Sequence, residues 1–102
     1  MINICNIRTY NKPLTDTTVL VARPSVFGNP WPLRSERDRI KVILKYEDYF
    51  LKAMDEKQEP LYSAVQDLIT LYREKGQLTL LCYCAPNYCH SEVIRDYILG
   101  AL

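Results

Sequence analysis

The stretch Leu78–Ser91, LTLLCYCAPNYCHS, constrains this chain more than any other. It opens as the most apolar run in the sequence and closes in a group of polar and nucleophilic side chains. Leu78 through Cys84 is short and apolar without alternation, which reads as a strand covered on both faces. Ala85-Pro86-Asn87 stops it, because Pro86 has no N–H for a ladder and Asn87 accepts turn geometry. Val93, Ile94, Tyr97 and Ile98 then recur at helical spacing, and Ser91 or Asn87 is expected to cap that last helix. Cys84, Asn87, Cys89, His90 and Ser91 therefore gather where a strand's carboxyl end meets a helix's amino end. Ligands of open α/β sheets bind at that place. The free N–H groups and the helix dipole there favour an anion.

The rest of the chain supplies cover for that strand. Ile2, Ile4 and Ile7 form a β-type opening, and Asn11-Lys12-Pro13 marks a turn. Thr17 to Ala22 is a second strand rich in β-branched residues, and pairing with the first strand in one sheet is expected. Ser35 to Asp38 resembles a capping box, and Ile40, Ile43, Leu44, Phe50, Leu51 and Met54 then mark an amphipathic helix over Glu36–Met54, with Glu47 as a polar exception. Pro60 suits a helix start, and Leu61, Val65, Leu68, Ile69 and Tyr72 mark a second helix ended by Gly76. The order β-β-α-α-β-α, with a helical crossover before the last strand, predicts one α/β domain over residues 1–102, in two or three layers around a small mixed sheet. At 102 residues, 48% of them hydrophobic, the chain has enough for one modest core.

Between the second strand and the first helix lies Arg23-Pro24-Ser25-Val26-Phe27-Gly28-Asn29-Pro30-Trp31-Pro32. It holds three of the six prolines and one of the three glycines, so it is a stiff, shaped loop. Gly28 supplies a positive φ or a close backbone approach. Arg23, just past a strand end, can meet an anion with its planar fork. The plainer alternative is a rigid connector, with Trp31 plugging the core and Arg23 an ordinary surface charge.

Charge and composition exclude some functions. The net charge of +1 gives no field to attract a nucleic-acid polymer. No apolar run is long enough to cross a membrane, and the opening residues lack the layout of a signal peptide. A cytoplasmic setting follows, with the four cysteines reduced. Several of the eight tyrosines, Tyr46, Tyr49 and Tyr72 among them, fall on or beside the helices' apolar faces. They suit either a core edge or the face of a homodimer.

The cysteine cluster admits three chemistries. Cys82, Cys84, Cys89 and His90 are all zinc-ligand types, but C-x-C-x4-C-H is not a finger or ribbon spacing, so no metal is expected. A thiol nucleophile is the second: Cys89 at a helix start with His90, the only histidine, as its base. No carboxylate except Glu92 stands ready to orient that base. Recognition without chemistry is the third, with His90, Ser91, Asn87 and helix N–H groups holding phosphate. Cys5 and Cys82 read most simply as small buried hydrophobes.

Arg23-Pro24-Ser25 and Gly28-Asn29-Pro30, followed late in the chain by Cys82, Cys84, Ala85, Pro86, Cys89 and His90, resemble a family of small proteins of unknown function from phages and bacteria. The resemblance spans nearly the whole chain in order and spacing. It departs at Ser91, where the family often has glycine or another small residue, and at Trp31, where phenylalanine is frequent. It implies a compact Rossmann-like domain with both motifs in one site. It also implies a small phosphorylated nucleotide-type ligand, held by Arg23, Ser25, Gly28 and Asn29 on one wall and Cys84, Asn87, Cys89, His90 and Ser91 on the other, with no cofactor. By analogy, a phage protein of this kind would sequester a host immune signal. An enzyme using Cys89 or His90 on such a ligand, and a protein-directed inhibitor of a host factor, are the alternatives.

Overall fold

In the computed structural model, which describes residues 1–102, three parallel strands carry three helices. The strands are β1 (Ile2–Asn6), β2 (Thr18–Leu20) and β3 (Leu78–Cys82). The helices are α1 (Arg39–Asp55), α2 (Leu61–Lys75) and α3 (Ser91–Gly100). The sheet order is β1-β3-β2, so the apolar run is the central strand, as its composition requires. Ile2 pairs with Leu78 and Asn6 with Cys82 on one side, and Thr18 with Thr79 and Leu20 with Leu81 on the other. The sheet is wholly parallel, not mixed. β1 and β2 do not pair with each other, because the late strand inserts between them. Apolarity marks each run as a strand but carries no signal of which neighbour it takes.

Alternation along the strands sets the layers. Leu78, Leu80 and Cys82 point to one face, with Ile2, Ile4 and Val19 beside them, and there they join a single core with side chains from all three helices. The molecule is therefore two-layered. Leu81 points to the opposite face and is still only 4% exposed.

α2 has the bounds read from the sequence, and Gly76 closes it at φ 73°, a left-handed conformation that only glycine adopts without strain. α1 departs in two ways. A 3₁₀ turn, Glu36–Asp38, precedes it, and neither Ser35 nor Asp38 makes a side-chain cap. Its buried face is Ile43, Tyr46, Phe50, Ala53 and Met54, while Ile40, Leu44 and Leu51 are exposed. Tyr46 is fully buried and its hydroxyl donates to the Phe27 carbonyl at 2.8 Å, so it belongs to the core and not to an outer face. That bond fastens the proline-rich loop to α1. No helix is long and apolar enough to cross a membrane.

Candidate functional site

The carboxyl ends of β2 and β3 and the amino ends of α1 and α3 surround one cavity of about 550 Å³. The chain after β2 continues pairing, with the Val21 N–H donating to the Leu81 carbonyl at 3.0 Å. It then turns away through two successive turns, Ser25 N–H to Ala22 and Gly28 N–H to Ser25. Those turns bring Gly28 against Arg23. A β-carbon on Gly28 would lie 2.7 Å from Arg23 Cγ and 2.9 Å from its Cα, so the glycine serves a close approach and not a positive φ. Ser25 shapes the same turn, its Oγ accepting from the Phe27 N–H at 3.3 Å. Asn29 accepts from the Trp31 N–H at 2.9 Å, an Asx turn that sets Trp31 into the cavity wall, edge-on to Tyr49.

Of the side chains singled out from sequence, Arg23, Asn29, Cys84, Cys89 and His90 line this cavity. Ser25 and Gly28 shape its loop from behind. Asn87 is exposed in a turn closed by its own N–H to the Cys84 carbonyl at 2.8 Å. Ser91 is 0% exposed, beneath the site, and its hydroxyl has no hydrogen-bond partner. Neither Asn87 nor Ser91 caps α3. His90 occupies the cap position without a side-chain cap bond, and the Glu92 carboxylate reaches back to accept the Cys89 N–H at 3.0 Å.

His90 joins the two motifs directly. Its Nε2 lies 2.7 Å from the Val21 carbonyl, 69 positions away in the chain. A carbonyl only accepts, so Nε2 carries the hydrogen and Nδ1 is the free acceptor. The ring packs edge-on against Tyr46. Burial, reinforced by the nearby Arg23 charge, pushes its pKa below the ordinary histidine value, and the ring is neutral. Cys89 does not pair with it: the Cys89 thiol donates to Cys82 Sγ at 3.4 Å. Cys82 is thus one half of a thiol pair as well as a core residue. Losing one proton from that pair is easier than for an ordinary thiol, since the remaining S–H supports the thiolate, and losing the second is harder. No three of the His, Cys, Asp and Glu side chains converge as a metal site.

Sequence reading missed Arg39. This side chain is 12% exposed, lines the cavity, and forks onto both Glu36 oxygens at 2.8 and 2.6 Å while donating to the Tyr88 carbonyl at 2.9 Å. It staples the amino end of α1 to the loop before α3. The signal was there: a cation in the first turn of a helix opposes the dipole, and such a misfit points to a tertiary partner. Its guanidinium is held even more firmly protonated than usual, first by Glu36 and also by the neighbouring Cys84. Tyr83, Leu33 and Val42 complete a mostly apolar wall.

A small two-layered α/β domain with a cavity at the carboxyl edge of a parallel sheet is the class that fold and site define. Within that class, the chain belongs to the DUF4326 family, a domain of unknown function, whose family model matches residues 5–100. No curated protein matches the chain. No solved structure matches it either.

Proposed function

We propose that this domain, read as a reduced Rossmann-like unit, binds a small phosphorylated nucleotide-type molecule in the cavity between the 23–30 loop and the 84–91 turn. The observation that carries the reading is the pairing of aromatic and aliphatic walls with two arginines in the lining of one cavity. Trp31 and Tyr83 line the cavity with aromatic surface for a planar ring, and Arg23 and Arg39 line it with guanidinium groups of the kind that suits phosphate. Arg39 is already matched by Glu36, which leaves Arg23 as the cation free to answer a ligand's charge. A cavity of about 550 Å³ lies in the range of small-molecule sites. The neutral His90 contributes an acceptor at Nδ1, suited to an amino or hydroxyl group. A host defence signal is one instance of this ligand class.

Binding is favoured over turnover because Cys89 and His90 do not form a nucleophile–base pair: the Cys89 thiol donates to Cys82, and the His90 Nε2–H to the Val21 carbonyl. The test is to mix the protein with nucleoside mono-, di- and triphosphates and cyclic dinucleotides, isolate the complex, denature it and identify what is released. An intact phosphorylated ligand is expected. Arg23→Ala should weaken its binding by about 1.5–3 kcal/mol, the scale of a charged hydrogen bond. Release of a chemically altered ligand would replace binding by catalysis. Equal affinity for unphosphorylated nucleosides would overturn the anion-binding role of Arg23. No retained ligand would leave a protein-directed role.

A further inference from the structure

Beneath the cavity two thiols touch. Cys82, the last residue of β3, is 0% exposed, and Cys89, just before α3, is 2% exposed. Their sulfurs lie 3.4 Å apart. Each is fixed by its own element. Cys82 pairs with Asn6 in the ladder, its carbonyl accepting the Ile7 N–H at 2.8 Å, and Cys89 is held by its N–H to Glu92. A disulfide is about 2.05 Å long, so bonding requires closing a gap of about 1.4 Å. Cys89 also lines the cavity, which opens this pair to a small reagent from solvent.

We propose that Cys82 and Cys89 form a peroxide-reactive dithiol, an oxidation site whose product is an intramolecular disulfide under the cavity floor. The oxidant is a hydroperoxide, hydrogen peroxide in the simplest case. The Cys89 proton passes along the S–H···S contact to the Cys82 thiolate, and the Cys89 sulfur, the one that lines the cavity, attacks one peroxide oxygen as the O–O bond breaks. Cys89 becomes a sulfenic acid, and the departing hydroxide takes a proton to leave as water. Cys82 then attacks the Cys89 sulfur. The S–S bond forms, the S–O bond breaks, and the hydroxyl leaves with the Cys82 proton as a second water. Two thiols lose two electrons in all, and one peroxide is reduced to two waters.

Three features favour this pair over Cys5 and Cys84. Its first proton is lost more readily than an ordinary thiol's, with the charge on Cys82 and the Cys89 S–H donating to it, a contact along which the proton can pass. The amino end of α3 adds its dipole. The Ser91 hydroxyl, fully buried and without a partner, favours the thiolate on either sulfur; an orphan hydroxyl finds its acceptor when the pair carries charge. Closing the bond pulls on Cys89 and therefore on His90 beside it. Oxidation thus changes the cavity floor whether or not a ligand is ever found.

The reduced full chain treated with one equivalent of hydrogen peroxide, alkylated and digested with chymotrypsin tests this. Cleavage after Tyr83 and Tyr88 places Cys82, Cys84 and Cys89 on separate peptides. The expected result is loss of two hydrogens from the intact mass, a linked Cys82–Cys89 peptide that dithiothreitol separates, and alkylated Cys5 and Cys84. Oxidation should run at least tenfold faster than in the same chain unfolded in urea. In Cys82→Ser, dimedone should trap a sulfenic acid on Cys89. A link through Cys84 or Cys5, sulfinic acid in place of the disulfide, a rate no faster than in urea, or no dimedone adduct on Cys89 in a folded Cys82→Ser would each overturn the proposal. Mapping of the unmutated chain decides it if that variant does not fold.

Discussion

His90 shows how one side chain can hold a site together and set its response to acid. Its Nε2–H is spent on Val21 and its ring is buried, so its pKa lies below the ordinary value. In the unfolded chain the ring binds a proton near pH 6.5, before the folded one does. The unfolded state therefore carries more protons in that window, and stability falls as pH drops below about 6.5, by up to about 1.4 kcal/mol per pH unit from this group. His90→Gln keeps an N–H donor for the Val21 carbonyl but does not titrate. Urea unfolding at pH 7.5 and 5.5 should show a smaller loss in the variant than in the parent. An identical loss in both would mean that His90 is not the buried neutral ring described.

At the scale of elements, α1 separates what sequence could say from what it could not. Periodicity marked a helix and placed Ile43, Phe50 and Met54 correctly on its inner face. It also put Ile40, Leu44 and Leu51 there, and these are 58%, 54% and 46% exposed. The helix is turned so that Tyr46 and Ala53 face inward, because Tyr46 finds the Phe27 carbonyl and the rings of Phe50 and His90. A hydrophobicity pattern counts Tyr as ambivalent and cannot foresee a carbonyl delivered by a distant loop. Denaturant curves should register the rotation. Leu44→Lys is expected to change stability by no more than about 0.5 kcal/mol, and Phe50→Ala to cost about 3–5 kcal/mol. The reverse ranking would place the wrong face inward. The site divides in the same way. The strand-to-helix turn was legible from Pro86, Cys89 and His90, and the loop from its prolines and Gly28. Arg39 was legible only as a cation misplaced in a helix's first turn; Glu36 is a local partner, but the Tyr88 carbonyl reaches it only in three dimensions. The thiol pair was not legible, because Cys82 on a strand and Cys89 beyond a turn are brought together by the path of Ala85-Pro86-Asn87.

The whole molecule depends on β3. It is hydrogen-bonded on both sides, whereas β1 and β2 are each paired along one edge only. Amide hydrogen exchange should accordingly be slowest at Leu80 and Leu81, and at least about tenfold faster in the three-residue β2. Uniform protection across the three strands would mean that the sheet opens only as a unit.

The order β1-β3-β2 also bears on how the chain emerges during synthesis. Both early strands leave the ribosome without their partner, which is made some sixty residues after β2, so neither can enter a ladder at its birth. The helices α1 and α2, whose contacts are local, can form first and wait. Sheet, thiol pair and cavity then arrive together once the single short segment Leu78–Ser91 has emerged. A nascent chain stalled before Leu78 would carry Ile2, Ile4 and Val19 uncovered, a state for chaperones to shield rather than a smaller version of the fold.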